Sequence, residues 1–151
     1  MTGDKTVAIV DRHCYVVAPF ISAPGNRNES PLLKPALSAL KKTAKAVGIS
    51  LEGILSSWDG VYDSKANRKA IFNAKMIPNI PENKRNRKKA KRGRKRLYRP
   101  EIFEERFETI ERLFAWEDKF KRLLLRFERI SALHYAMKMI VYTLINLRHF
   151  A

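Results

Sequence analysis

The sequence contains a single cysteine, and this scarcity excludes several kinds of site. Cys14 alone can form neither an intrachain disulfide nor a thiolate-rich metal site. The three histidines, His13, His134 and His149, are scattered and pair with no acid or cysteine at a ligand spacing. We therefore expect no zinc site, and we expect a reducing, cytoplasmic setting.

Glycines and long apolar runs are also scarce. The six glycines are too scattered for a loop that cradles phosphate, and no grouping of Ser, Cys and His indicates a nucleophilic enzyme. The N-terminus lacks a basic flank followed by a long apolar core, and the apolar run 139–147 is too short to cross a bilayer. We expect a chain that is neither secreted nor embedded in a membrane.

Acidic residues are outnumbered two to one. Fifteen Asp and Glu stand against thirty-one Lys and Arg, which gives a formal net charge of +16 over 151 residues. This excess is larger than solubility requires, and it favours a polyanionic partner, of which nucleic acid is the first candidate. The length predicts one domain.

The first half of the chain alternates strand and helix patterns. Two apolar runs, 6–10 and 14–21, predict antiparallel strands joined by a hairpin at Asp11-Arg12-His13. The next segment, 31–47, has leucines at helical spacing and ends at Gly48, which predicts a helix with a glycine C-cap.

A second strand and helix pair follows. Residues 51–57 predict a short strand that runs into Asp59, and Ser64 is expected to cap a helix that continues to about Ala74. Residues 77–80 predict one more short strand, which the neighbouring prolines limit to an edge or an irregular run.

A basic loop is predicted at residues 83–99, where eleven Lys and Arg occur with one Gly and no acid. Such a run is either a solvated loop or an arm that contacts phosphates, and the two interpretations are compatible. The expected DNA-binding residues of this loop are Lys84, Arg85, Arg87, Lys88, Lys89, Lys91, Arg92, Arg94, Lys95 and Arg96.

A long C-terminal helical pair is predicted after the basic loop. The first helix begins at Pro100 and continues to about Arg129, and Ser131 is expected to cap the second, which ends near His149. In the second helix we expect the apolar stripe to pack in the core rather than to bind a partner or a membrane. Its members are Leu133, Met137, Ile140, Val141, Leu144 and Leu147.

Glu111 points away from the apolar stripe of the first of these helices. A projection at about 100° per residue places basic residues on the same face or at its margin. They are Lys119, Arg122, Arg126 and Arg129. Glu111 is either an ordinary exposed glutamate or a carboxylate placed beside a DNA-binding track.

Three stretches resemble the C-terminal part of a bacterial insertion-sequence transposase of the DDE class. They are WDGVYDSKANRKAIFN, NIPENKRNRKKAKRGRK, and ERFETIERLFAWEDKFKRLLLRFERI followed by YTLINLRHF. The resemblance implies that Asp59 is the second and Glu111 the third acidic metal ligand of the catalytic site. Three neighbours match the residues that surround that glutamate in the family: Arg112, Phe114 and Trp116.

The resemblance also implies a fold, a cofactor and partners. The fold is ribonuclease H-like, an α/β (α+β) arrangement with a mixed sheet and helices on both faces. The cofactor is Mg²⁺ or Mn²⁺, because paired oxygen-bound ions can activate the attacking oxygen and stabilise the leaving one at a phosphodiester. The partners are transposon ends and target DNA, in a bacterial, nucleoid-associated protein whose active relatives form homodimers.

The family's fold places the first catalytic Asp on the first of three strands that precede the first helix. Only two such strands are predicted here, and Asp11 lies in their connection, where the side chain of Asp commonly satisfies backbone donors. We therefore expect residues 1–151 to be one partial catalytic domain that lacks its first strand and is inactive alone. Its unpaired edge predicts marginal stability or aggregation.

Two other interpretations stay open. The chain can be a non-enzymatic basic protein that binds nucleic acid mainly through residues 84–99, or a decayed gene fragment that keeps only fold elements. Carboxylates of Asp59 and Glu111 within reach of one divalent ion would favour the transposase. Within WDGVYDS, Asp59 is the expected ligand, whereas Asp63 complements a helix N-terminus that Ser64 caps.

Overall fold

The structure is a computed structural model that describes residues 4–83, 96–124, 129–148 and 150. The chain starts with the predicted hairpin: β1 (Asp4–Val7) pairs antiparallel with β2 (Ile21–Pro24). An isolated bridge between Val10 and Val16 continues the pairing toward the turn. The paired strands are shorter than predicted because the register changes between these two contacts, around Pro19, which has no N–H to donate.

The first helix ends where it was predicted to end and begins two residues later than predicted. A 3₁₀ turn (Ser30–Leu32) leads into α1 (Leu33–Val47), and Gly48 follows in the left-handed conformation with φ 74°. The Ile49 N–H donates to the Ala44 carbonyl at 2.9 Å, so the last helical turn is closed in the manner of a glycine C-cap.

The next three elements form a second, parallel strand pair. β3 (Leu55–Ser57) is followed by α2 (Lys65–Asn73) and β4 (Ile77–Asn79), and β4 pairs parallel with β3. The Ser64 hydroxyl accepts from the Asn67 N–H at 3.1 Å, which confirms the predicted cap.

The C-terminal helices differ from the predicted pair. The first is interrupted: α3 (Pro100–Asp118) ends before Lys119-Phe120, and a short α4 (Lys121–Leu124) follows. The interruption lets Phe120 and Leu123 pack against the core under the last helix. That helix, α5 (Ser131–Leu147), begins with Ser131 itself, and the capping position is Ile130, which supplies no side-chain hydrogen bond. The prediction of a Ser131 cap is therefore wrong.

Helices lie on both faces of the hairpin. Along β1 and the residues that follow it, Val7 and Ile9 contact one core, whereas Ala8 and Val10 contact another, as alternate residues of a strand should. The first core includes residues of α1 and α2, and the second includes residues of α3 and α5. The fold is thus mixed α/β, but its described strands form two two-stranded sheets instead of the single mixed sheet that was expected.

The packed side of α5 agrees with the predicted one only in part, since Val141 is buried and Met137 packs against the second core. Leu133, Ile140, Leu144 and Leu147 are 50–61% exposed, so the prediction that they lie in the core is wrong. The buried residues of α5 are Lys138, Val141, Tyr142 and Ile145. Lys138 can be buried because its Nζ lies 2.8 Å from an oxygen of Glu117 and donates to the Thr6 hydroxyl at 3.0 Å.

Candidate functional site

A cleft of about 660 Å³ opens between the two sheets. Two stretches of backbone, 6–12 and 54–59, line its sides. Apolar side chains of α1 and α3 add to its walls, and the polar side chains of Asp11, Asp59, Glu105 and Arg106 also line it. The cleft is therefore largely apolar inside and carries charge of both signs at its polar positions.

Asp59 reaches this cleft because it directly follows the strand β3 and Trp58. It is exposed, and its carboxylate makes no hydrogen bond or ion pair with the other described residues. Among the described residues, the charge of Asp59 acts on Arg106 of α3: burial lowers the pKa of this guanidinium, and the negative charge of Asp59 opposes that shift. Asp59 thus presents free acceptor oxygens next to a cation.

Asp63, four residues later, is buried and paired. Its Oδ1 lies 2.9 Å from Nε of Arg68 and 2.8 Å from Nη1 of Arg96, and its Oδ2 accepts from the Asn83 N–H at 3.0 Å. Burial would raise the pKa of this carboxyl, but the hydrogen bonds from Asn83 and Arg68 and the two nearby positive charges hold it below its usual value. Asp63 is thus a structural counter-ion.

Asp11 is held in the hairpin turn. Its Oδ1 accepts from the N–H groups of His13 at 2.9 Å and Tyr15 at 2.8 Å. This geometry confirms the sequence interpretation of Asp11 as a turn residue whose side chain satisfies local donors. The neighbouring Arg12 forms a bidentate ion pair with Glu105 of α3, with N···O distances of 3.0 and 3.3 Å, so each residue neutralises the charge of the other.

Glu111 is exposed on α3 and is not among the residues that line the cleft. It lies five residues after Arg106, which turns it by about 140° around the helix axis from the side that carries Arg106. The structure therefore does not bring Glu111 into the cleft with Asp59. Of the residues expected around Glu111, Phe114 lines the cleft and Arg112 is exposed. Trp116 packs against the second core.

The expected DNA-binding residues are only partly described. Arg96 is paired with Asp63, Lys119 places its Nζ 4.2 Å from the ring centroid of Trp116, and Arg129 is exposed. The side chain of Arg122 lies outside the described residues, as do all of the following: Lys84, Arg85, Arg87, Lys88, Lys89, Lys91, Arg92, Arg94, Lys95 and Arg126.

Sequence reasoning missed Arg106, a cation that lines the cleft with Asp59 and is influenced by its charge without forming an ion pair. A signal was present, because Arg106 stands midway between Ile102 and Ile110 at four-residue spacing, within an apolar stripe of α3. A charged residue in such a stripe indicates a partner inside the fold. The buried Arg68 was missed for a different reason, since its partner Asp63 was assigned to the helix N-terminus alone.

Among the side chains of the described ranges, no three His, Cys, Asp or Glu are grouped so that they could hold a metal ion. Of the helices in those same ranges, none combines the length and the apolar character needed to cross a membrane. Comparison with models of protein families, with curated proteins and with solved structures finds no match to this chain.

Proposed function

We propose that the chain is the C-terminal part of a DDE-class DNA transposase, with an incomplete ribonuclease H-like domain that binds DNA and does not cleave it alone. The observation that carries the proposal is the contrast between the two aspartates of WDGVYDS. Asp63 forms internal ion pairs with Arg68 and Arg96. Asp59, in contrast, is exposed at the cleft just after β3, and its carboxylate oxygens are available to bind a metal ion. The motif resemblance and the charge of +16 support the same assignment.

The described residues do not by themselves fit a pair of Mg²⁺ or Mn²⁺ ions. Such ions need several converging oxygen ligands, and the predicted ligand Glu111 lies outside the cleft that holds Asp59. A cleavage-competent site would require further carboxylates beside Asp59. For this reason the proposal assigns DNA binding to the chain and assigns phosphodiester cleavage and strand transfer only to a longer, complete enzyme.

DNA binding in this proposal rests on charge. Eleven basic residues in 83–99 and none of opposite sign provide a phosphate-contacting segment, and transposon ends and target DNA are its proposed partners in the nucleoid. Arg106 beside Asp59 offsets the repulsion between that carboxylate and a phosphate that approaches the cleft. A homodimer is proposed only for the complete enzyme.

A second candidate is a non-enzymatic basic protein that binds nucleic acid. The observation that favours it is the position of Glu111, which leaves Asp59 without the acidic partner that the catalytic reading requires. Both candidates give steep salt dependence of binding, so affinity alone does not separate them.

Mn²⁺ titration of the ¹⁵N-labelled chain tests the part of the proposed site that this chain retains, which is Asp59 as the ligand of a single ion. If Asp59 is a ligand, paramagnetic broadening starts at amides near residue 59, and Asp59→Asn abolishes it. A Glu111→Gln variant reports whether the second predicted carboxylate shares the ion, and Glu108→Gln, an exposed acid on the same helix, is the matched control. Broadening that is unchanged by Asp59→Asn would reject the transposase proposal and leave the non-enzymatic one.

A further inference from the structure

We propose that three aromatic side chains at the start of α3 form a platform on which the bases of an unpaired nucleic-acid strand stack. The rings are those of Tyr98, Phe103 and Phe107, and we call them the aromatic platform. The phosphates of the strand are attracted by the net charge of +16. The inference rests on the proposed nucleic-acid binding, and it adds base contacts to a function that was assigned to charge alone.

The three rings lie in a row. Tyr98 stands two residues before the start of α3, and its ring centroid lies 6.0 Å from that of Phe103, with the ring planes inclined by 56°. Phe107 follows Phe103 by four residues on the same helix, so the two side chains share a face, with Cβ atoms about 5–6 Å apart. Tyr98 is 38% and Phe107 58% exposed, whereas Phe103 is half-buried. The outer two rings are therefore open to a flat ligand.

The backbone that presents Tyr98 is fixed on both sides. Two residues earlier, Arg96 forms its ion pair with Asp63 at 2.8 Å. In the next residue, Arg99, the main-chain N–H donates to Oδ1 of Asn79 at 2.8 Å, and the carbonyl accepts from Nδ2 of Asn79 at 3.0 Å. A ring whose backbone is held in this way is ordered before a ligand arrives, so stacking on it costs little conformational entropy.

Two arginines adjoin the platform. The Arg106 guanidinium lies 5.4 Å from the centre of the Phe103 ring, and the same residue lines the cleft that Asp59 also lines. Arg99 directly follows Tyr98 and is exposed, and its side chain forms no ion pair with the other described residues. Arginine beside an aromatic ring attracts phosphate and can itself stack on a base. A strand on the platform therefore lies next to the cleft of the candidate site.

Acidic side chains next to Phe107 indicate bases rather than phosphates at this end of the platform. Glu104, Glu108 and Glu111 are all exposed, and their positions on α3 make them surface neighbours of Phe107. Their charges repel a phosphate backbone that follows this face of the helix, but they do not oppose an uncharged base. A duplex keeps its bases stacked on one another, so the occupant that fits is an unpaired strand whose phosphates are held by the cations.

Fluorescence anisotropy with two labelled single strands tests the inference on the full chain. One strand is an oligothymidylate of about twelve nucleotides, within the site sizes of single-strand binders, and the other is an abasic strand with the same number of phosphates. We expect the thymidylate strand to bind at least about fivefold more tightly at equal salt, because each stacked base adds affinity. The double variant Tyr98→Leu, Phe107→Leu keeps apolar side chains and removes the two exposed rings. It is expected to lose this preference and to bind the abasic strand as the wild type does.

The matched control is Phe72→Leu, which removes a ring that is 61% exposed on α2. This control is expected to keep the preference for the thymidylate strand. Should the double variant not fold, Phe107→Leu is compared with Phe107→Trp, which retains an aromatic face. The preference is then expected to fall in the first variant and to persist in the second.

Each result decides the question. A preference that the ring variants abolish and Phe72→Leu leaves intact supports the inference. Equal binding of the two strands by the wild type, with steep salt dependence, overturns the inference and leaves the proposed DNA binding intact. Binding of neither strand overturns both. Equal weakening on both strands by the double variant, or equal loss of the preference in Phe72→Leu, shows that the rings act on the fold rather than on bases and also overturns the inference.

Discussion

Asp63→Asn removes the charge of a buried carboxylate and keeps its shape. Asp63 and Arg68 are 7% and 8% exposed, so the substitution leaves the Arg68 guanidinium buried without its counter-ion. Breaking one partner of such a pair costs about 3–5 kcal/mol, and the retained amide oxygen, which can still accept from Asn83, places the expected loss near the lower end, about 3 kcal/mol. This is a large part of the 5–15 kcal/mol that ordinarily separates folded and unfolded states.

Urea unfolding followed by tryptophan fluorescence measures this loss, since Trp58 lies in the first core. With a slope of about 1–3 kcal/mol/M, a loss of about 3 kcal/mol is expected to lower the midpoint by roughly 1–3 M. Asp59→Asn is the matched control, and its expected effect is within about 0.5 kcal/mol because Asp59 is exposed and unpaired in the described chain. Equal losses for the two variants would refute the structural assignment of Asp63.

The pH dependence of stability tests the same assignment of Asp63. Because the folded-state pKa of Asp63 is held below its ordinary value, its stabilising contribution is present above about pH 4 and is lost as pH falls through the lowered pKa. The difference in stability between wild type and Asp63→Asn is therefore expected to shrink as the pH is lowered below about 4. A difference that stays constant down to pH 2 would contradict the role of ionised Asp63.

Further outcomes follow from other features. Burial, reinforced by the charge of Glu29, raises the pKa of Tyr62 to about 12. The stability that Tyr62 contributes is complete below about pH 10 and is expected to decline between pH 10 and 12. In urea unfolding, Tyr62→Phe is expected to lessen this decline, whereas Tyr98→Phe, at an exposed residue, is not. Changing Lys88, Lys89 and Lys91 together to Gln is expected to reduce the slope of log K against log salt for duplex DNA by up to about 2.7, measured by fluorescence anisotropy. An equal reduction by Lys41, Lys42 and Lys45 to Gln on α1 would show that the basic segment has no special part. Gly48→Ala places a side chain at φ 74° and is expected to cost about 1 kcal/mol in thermal or urea unfolding, and no loss would contradict the need for glycine at this cap.

Local patterns predicted the elements well where one signal was decisive. The glycine after Val47 and the serine before Lys65 fixed helix ends, because each supplies a conformation or an acceptor that few other residues supply. The prediction for the last helix was partly wrong for the opposite reason. Most of α5 is apolar, so spacing alone could not show which side packs. The buried side contains Val141, as predicted, and also Lys138, whose partner Glu117 comes from another helix.

The candidate site was predictable only in part. The position of Asp59 after a strand follows from the local pattern of WDGVYDS, and the structure places it there. Three other features depend on how distant segments pack. They are the position of Arg106 beside Asp59, the orientation of Glu111 away from the cleft, and the separation of the strands into two sheets. The 52-residue interval between Asp59 and Glu111 carries no information of that kind.

The contacts of Asp63 have a consequence for the evolution of the basic segment. Asn83 and Arg96 both bind this one carboxylate, so two positions that are 96 − 83 = 13 residues apart in sequence are fixed at a single point. The entropy of closing a chain between two fixed ends depends only weakly on its length, since each doubling costs about 0.6 kcal/mol. Insertions or deletions between Asn83 and Arg96 are therefore compatible with both contacts, so Asp63 can hold the two positions together in chains that differ in length here.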